Sequence, residues 1–520
     1  MPESKQRKPA PLREWAPGIF DAFDVFEVRV LVRTVAAIFV CAASLQQANA
    51  QDGMPEEPPP KLAPVNLPAP VTTQHRGTFG GKPVDYQGIV ESFPINDRSG
   101  RPIADLVATS YIAQNSGSPE QRAVLFVFNG GPIVAATPLH MGAFGPKRVA
   151  IPDDLSADPA SFQVVDNVYA PLDCADVVIF DPASTGFSRV RPGIAPETQF
   201  SNKADAWQLT QFVIAWSRAH GREGAPKYLV GESYGTMRAV ESAEQLLAEG
   251  ARLDGILLLG QAVNIVEYVQ RPGNIISYAV SLPTLAAIGW HHNVVARKGR
   301  GFERFIRDAQ EYAAGEYLHV LFQGDTALPS RRMAVARKLQ EFTGLPAENF
   351  LAKDLKVAKT AYQRELFPGK ILDTNDARYV TAVDGPGAGY ASRYGAAARD
   401  YLRTELKVPD IGEYFTGVPT RGGLNAWDWG DNKSPFGDWP YVAQLKAAMS
   451  KNPNLRLFVG NGYYDTQTTI GAMDYMVAQG GFPRDRVRVR YYQGGHLFYT
   501  VEQSLKQFME DVRAMVTRQW

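Results

Sequence analysis

Three polar residues stand where glycines interrupt apolar runs. Ser233 lies in Gly231-Glu232-Ser233-Tyr234-Gly235, between the apolar "KYLV" and the helical pattern "TMRAVESAEQLLAEG". G-x-S-x-G with a strand before it and a helix after it reads as a sharp turn. Such a turn lifts a serine hydroxyl to a helix N-terminus, where developing negative charge is favoured. A serine nucleophile needs a base, and the base needs an orienting acid. Of the seven histidines, His496 follows the strand-like "RVRVRYY" in "QGGHLFYT", where glycines free a loop to reach a cleft. His291 and His292 close a helical pattern and read as surface or packing residues, while His75, His220 and His319 look peripheral. Asp465 sits just past another strand pattern, in "VGNGYYDTQT". Any one of these residues alone could be a polar loop residue. The three together, each at a strand's C-terminal end, suit acyl transfer through a covalent serine intermediate.

The chain order Ser233, Asp465, His496 is that of α/β-hydrolases. In such folds the tetrahedral intermediate is held by the N–H after the nucleophile, here Tyr234, and by one from an early strand-end loop. The stretch "LFVFNGGPIV" offers that loop. A buried strand, Leu125 to Phe128, breaks at Asn129-Gly130-Gly131-Pro132, and Gly131 is the expected second donor. Ile133 follows directly. A β-branched residue at positive φ is a genuine outlier, so the loop is expected to take another path there.

These residues need a scaffold that brings distant strand ends together. "VLFVF", "DVVIF", "KYLVG", "GILLLG", "LRLFVG" and "RVRVRYY" read as buried parallel strands, with helical patterns such as "KADAWQLTQFVIAWSRAH" between several of them. The alternation predicts an α/β fold, a mostly parallel central sheet with helices on both faces. Upstream, "GTFGGKPVDYQGIVESF" and "NDRSGRPIADLVATSYIA" read as antiparallel strands joined at Asp97–Gly100. The long, mostly helical stretch between "GILLLG" and "LRLFVG" is too long for a connection and reads as a cap inserted above the sheet. The expected division is an α/β core over 72–263 and 451–520, with the cap at 264–450.

The N-terminal region has a different character. Arg29 and Arg33 precede the apolar "TVAAIFVCAASL", and Ala48-Asn49-Ala50 fits a small-x-small cleavage site. Residues 1–50 therefore read as a secretory signal peptide, with an uncleaved anchor as the alternative. The apolar run is short for a bilayer span. Residues 51–71, including "MPEEPPPKLAPVNLPAP", form a proline-rich linker. Cys41 would leave with the signal, and Cys174 would pack beside "DVVIF". Across 520 residues, 54 basic and 54 acidic side chains balance, which gives no electrostatic case for a nucleic-acid or membrane-surface partner. Metal-ligand spacing and phosphate-binding glycine loops do not occur, so no cofactor and no metal are expected.

Taken together, "FNGGP", "FDPASTGFS", "GESYG", "NGYYD" and "GGHLFY", in this order from about Thr72 onward, resemble the serine carboxypeptidase family. "ISYAVSLPTLAAIGWHH" within the cap is similar to that family as well. The resemblance implies a Ser233–Asp465–His496 triad, an oxyanion hole at Gly131 and Tyr234, and a peptide substrate with a free C-terminus. It also implies that Asn129 and Glu232 bind the substrate's terminal carboxylate. The sequence departs from the family pattern at Ile133 to Ala136. It departs again at Ala143, where many members carry a second glutamate; His140, nearby in sequence, either compensates or has a structural role. With only two cysteines, the chain departs from the family's disulfide-rich eukaryotic members, which implies a bacterial type. The same triad also serves esterases, acyltransferases and lyases, and a binding protein with a decayed hydrolase site would keep its relics.

Overall fold

The computed structural model describes residues 69–114, 117–264, 270–385, 387, 389–417, 427–430 and 439–520. The expected signal peptide, its cleavage point after Ala50, Cys41 and nearly all of the proline-rich stretch lie outside these residues.

One large sheet organises the chain. Its strands, in chain order, are β1 (Val71–Phe79), β2 (Lys82–Asn96), β3 (Pro102–Ala113), β4 (Ala123–Phe128), β5 (Ala175–Phe180), β6 (Lys227–Glu232), β7 (Gly255–Leu259), β8 (Arg456–Gly462) and β9 (Val487–Tyr492). In space they run β1-β2-β3-β5-β4-β6-β7-β8-β9, with the short Arg189–Val190 strand paired to β3. β1, β2, β3 and β5 pair antiparallel in succession. From β5 to β9 every pairing is parallel.

The apolar runs of β4 to β8 are buried on both faces, and their side chains alternate between two cores. Leu125, Val127, Val177, Ile179, Val230, Leu257 and Leu259 join one cluster. Val124, Phe126, Phe128, Val178, Leu229, Ile256 and Leu258 join the other. Continuous β-branched and aromatic runs are what a sheet covered on both sides requires.

The covering helices are α1 (Asn202–Ala219), α2 (Gly235–Ala248), α3 (Ile275–His291), α4 (Phe302–Tyr312), α5 (Pro329–Thr343), α6 (Tyr390–Thr404), α7 (Tyr441–Lys451), α8 (Ile470–Gln479) and α9 (Glu502–Val516). Side chains of α1, α2, α7 and α8 fill one core, and those of α6 and α9 fill the other. A third cluster gathers α3, α4 and α5 with Leu372, Ala377, Tyr464 and Ile470. The long segment between β7 and β8 thus serves three hydrophobic clusters. It also contains a small hairpin, Lys370–Leu372 with Val380–Ala382.

Parallel register aligns the strand ends. Phe128 pairs with Gly231, Gly231 with Leu258, Glu232 with Leu259, and Leu259 with Gly460. The loops after β4, β6, β7, β8 and β9 therefore leave the sheet at one edge. Ligands of open α/β sheets bind at that carboxyl edge.

Candidate active site

Ser233 occupies the turn between β6 and α2 at φ 58°, a left-handed backbone that a serine adopts only where its surroundings enforce it. Its N–H donates to the Leu259 carbonyl at 2.9 Å, and the Ser233 carbonyl accepts from Thr236 N–H at 2.9 Å. The residue is half-buried, less open than the surface serine that its turn position suggests. Space around the turn is minimal. A Cβ on Gly231 would lie 2.2 Å from the Gly235 carbonyl oxygen, and one on Gly130 would lie 2.5 Å from Tyr234 N. Gly130 is thus a glycine because the loop after β4 presses against the elbow. That contact sets the Gly131 and Tyr234 segments side by side.

Asp465 and His496 meet as a buried pair. His496 Nδ1 and Asp465 Oδ2 are 2.7 Å apart. Asp465 Oδ2 also accepts from Thr468 Oγ1 at 2.6 Å. Its Oδ1 accepts the Gln467 and Thr468 N–H groups at 2.8 and 3.1 Å. Burial disfavours an imidazolium at His496, but the Asp465 charge and hydrogen bond, with the Glu232 charge nearby, outweigh it and raise its pKa above the ordinary value. Gly260, at φ 52°, lies under the ring. A Cβ there would come 2.8 Å from His496 Cε1, so only glycine leaves the imidazole its place. The glycines before His496 are required by contact, and Gly494 also by its backbone, at φ 129°. A Cβ on Gly495 would meet the Asn375 carbonyl oxygen at 2.1 Å, and one on Gly494 would meet Phe498 Cα at 2.7 Å.

Glu232 and Asn129 are both buried and face each other. Asn129 Nδ2 donates to Glu232 Oε1 at 2.9 Å, and the Tyr499 hydroxyl donates to Oε2 at 2.7 Å. Asn129 Oδ1 accepts the Leu139 N–H at 3.0 Å. Burial pushes the Glu232 carboxyl up to about 7, against the His496 charge and the two hydrogen bonds. Beneath the elbow, Arg238 donates to the Asn129 carbonyl at 2.7 Å and to Asp205 Oδ2 at 2.7 Å. Asp205 Oδ2 also accepts from the Tyr234 hydroxyl at 2.9 Å. This buried ion pair fixes the elbow helix to the loop after β4.

One expectation about that loop needs correction. Ile133 does not avoid the left-handed region: its φ is 58°, and its side chain is buried in a hydrophobic core. The loop is instead held from outside. Ala136 N–H donates to Asp181 Oδ1 at 2.7 Å, Ala135 N–H to the Thr416 carbonyl at 2.9 Å, and Val134 bridges to Gly417. Asp181 belongs to "FDPASTGFS" and also accepts from the Tyr414 hydroxyl at 3.0 Å. Of the two readings of His140, the structural one fits. It is buried against Tyr111, with Nε2 2.6 Å from that hydroxyl, and its pKa is depressed by burial to about 3. A neutral, already bonded imidazole does not replace the glutamate missing at Ala143.

Sequence reading did not single out Tyr499, Arg238, Asp205, Asp181, Gly260, Thr468 or Asn375. Thr468 had a local signal, lying three residues after Asp465 in one loop. The others reach the site only through tertiary packing. Of the remaining histidines, His292 lies 2.8 Å from the Ala377 carbonyl and His291 packs on Tyr464. A cleft of about 1080 Å³ lies elsewhere, between the Asp97–Arg101 turn, α1 and α2, and is lined by none of the residues above. Among the described residues, no group of three or more His, Cys, Asp or Glu side chains is placed to hold a metal ion.

The serine carboxypeptidase family model matches residues 110–264, the stretch that contains Asn129, Gly131, Glu232 and Ser233. That match covers 155 of the chain's 520 residues, so this stretch is similar to the serine carboxypeptidase family. The crystal structure of Kex1(delta)p, a prohormone-processing carboxypeptidase from Saccharomyces cerevisiae, is similar over 84% of this chain and 92% of that one, with 12% identity and a TM-score of 0.52. At that identity the likeness speaks for the shared α/β-hydrolase fold. A proline iminopeptidase from Mycobacterium smegmatis aligns over 82% of this chain and 98% of its own, with 14% identity and a TM-score of 0.37. No curated protein matches the chain by sequence.

Proposed function

We propose that the chain is a serine carboxypeptidase that hydrolyses C-terminal peptide bonds through an acyl-enzyme formed on Ser233. One observation supports the reading: the buried His496–Asp465 pair stands over Gly260, next to the Leu259 carbonyl that takes the Ser233 N–H, and the Asn129–Glu232 pair adjoins that serine in the chain. Ser233 Oγ attacks the last peptide carbonyl while His496 takes its proton. Asp465 holds the imidazole by Nδ1 and stabilises the imidazolium. The tetrahedral oxyanion is received by the N–H groups of Gly131 and Tyr234. His496 then returns the proton to the leaving amine, and water releases the acyl group by the same steps. Asn129 and Glu232 receive the terminal carboxylate, and no cofactor takes part. The substrate is a peptide with a free C-terminus, met outside the cytoplasm after export and cleavage near Ala50.

A second reading has its own support. Both Glu232 oxygens are already occupied, by Asn129 and Tyr499, and Ala143 offers no second carboxyl. An esterase or acyltransferase using the same triad needs no carboxylate site. A small ester, a blocked peptide with a free C-terminus and its amide separate the two. The carboxypeptidase reading expects preference for the free acid over the amide, and equal rates on the two peptides would sink it. Ser233→Ala is expected to abolish turnover of all three with little change in melting temperature. A phosphonofluoridate is expected to label Ser233, and label on another serine would remove the triad assignment.

A further inference from the structure

The loops that carry Asp465 and His496 are tied together by a third segment, contributed by the long insertion between β7 and β8. Residues 373–379 cap the Lys370–Leu372/Val380–Ala382 hairpin and hold their own shape. Asp373 Oδ1 accepts the Asn375 and Asp376 N–H groups at 2.8 and 3.0 Å, and Asp373 N–H donates to the Tyr379 carbonyl at 3.0 Å. This preformed turn touches both catalytic loops. On the acid's side, Thr466 Oγ1 donates to the Thr374 carbonyl at 2.6 Å and Ala377 N–H donates to the Tyr464 carbonyl at 3.0 Å. On the base's side, the N–H of His496 itself donates to the Asn375 carbonyl at 2.5 Å. The Asn375 side chain closes the arrangement, its Oδ1 accepting from Gln467 Nε2. The Gln467 N–H in turn donates to Asp465 Oδ1 at 2.8 Å. Gly495 is bare because the turn passes directly over it.

We infer that Asn375 is a positioning residue for the His496–Asp465 pair, so that the insertion orients the catalytic base. Its carbonyl fixes the backbone from which His496 projects. Its side chain fixes that carbonyl to the loop that carries the acid. The loop before His496 contains Gly494 and Gly495 and resists reorientation weakly on its own. Proton transfer requires the imidazole to meet both Ser233 and Asp465, and small misplacements are costly because the geometry is needed in the transition state. The inference rests on the reading of Ser233, Asp465 and His496 as the catalytic groups.

The test compares wild type, Asn375→Ala and Asn375→Asp, all as the full chain, on a small ester and on a blocked peptide with a free C-terminus. Active sites are counted by complete phosphonofluoridate labelling. Asn375→Ala removes the acceptor for Gln467, while Asn375→Asp keeps one. The expected result is a fall in kcat per labelled site of about tenfold or more for Asn375→Ala, equal on both substrates, with KM within about twofold. Asn375→Asp is expected to recover most of the loss. The downfield proton resonance of the His496 Nδ1–H hydrogen bond is expected to broaden in the alanine variant and return in the aspartate variant. Unchanged kcat per labelled site, even with a lower melting temperature, would overturn the inference. So would a loss confined to the KM of the peptide, which would make Asn375 a substrate contact. Activity surviving in Ser233→Ala would instead bring down the underlying triad reading.

Discussion

Glu232 holds the sharpest chemical tension at the residue scale. It is a buried carboxyl, next to Ser233 in the chain, that the proposed function brings against a second carboxylate. Two such groups in contact cannot both be ionised at low cost, so one must hold a proton. Burial has already pushed Glu232 up to about 7. Free-acid peptide therefore binds best below that value, and kcat/KM on it is expected to fall as pH rises through neutrality. Glu232→Gln keeps an acceptor for Asn129 and a hydrogen-bond donor at every pH, so its profile on that substrate is expected to be flatter. The amidated peptide brings no charge and is expected to show little difference between the two proteins. Paired kcat/KM profiles on both peptides decide the matter. Identical profiles for both proteins on both substrates would mean that Glu232 does not read the carboxylate. All the residues in this argument except Tyr499 were legible in the sequence. The "GESYG" spacing names Glu232 and Ser233, and "FNGGP" names Asn129. Tyr499 lies within "GGHLFY" but was hidden, because nothing local tells which aromatic in that run turns towards Glu232.

At the scale of the element, the loop after β4 shows where sequence reasoning misjudges physics. Ile133 was expected to bend the loop away from positive φ because a β-branched side chain is poorly suited there. Tertiary contacts overrule that preference: Asp181 and Thr416 hold the following amides, and the Ile133 side chain gains a buried place in the core. Ile133→Gly therefore has two opposing effects. Glycine relieves left-handed strain of about 1–2 kcal/mol. It also removes a large buried side chain, for which truncation to alanine alone costs about 2–5 kcal/mol. The net expectation is a destabilisation of about 1–3 kcal/mol, measured by denaturant unfolding, with kcat within about twofold because Asp181 still fixes the loop. A variant that is more stable than wild type, or turns over about tenfold faster, would show that the isoleucine distorts the oxyanion donors. The glycines around the site carry the same lesson. Gly130, Gly260 and Gly495 are each required by a neighbour far away in sequence, so their reasons for conservation of space cannot be read from local patterns.

The described residues are organised by a sheet whose six parallel strands end at one edge, where the candidate site lies. The apolar runs made that sheet legible, because double-sided burial writes itself as unbroken hydrophobic strands. The insertion was legible only as helical and too long for a connection. Its division among three hydrophobic clusters depends on contacts between distant helices. One such contact has a pH signature. Asp474, on α8, accepts from the Tyr491 hydroxyl of β9 at 2.5 Å and from Gln310 Nε2 of α4 at 2.7 Å, linking the sheet edge to the insertion. Burial raises its carboxyl from 3.8 to about 6, against those two hydrogen bonds. The folded state therefore favours the protonated acid. That contribution to stability is fully present below the unfolded value near 4 and is lost as pH rises through about 6. Two pK units correspond to on the order of 2–3 kcal/mol. Asn at this position keeps an acceptor and does not titrate, and the Gln310 amide can turn to match it. Wild type is thus expected to gain stability relative to Asp474→Asn as pH is lowered from 7 to 4, by on the order of 2 kcal/mol. Other buried groups titrate in the same range, so the measurement is the difference between the two proteins in denaturant unfolding at each pH, which cancels their shared contributions. A difference that stays constant from pH 4 to pH 7 would show that Asp474 is ionised in the fold and that this junction carries no proton.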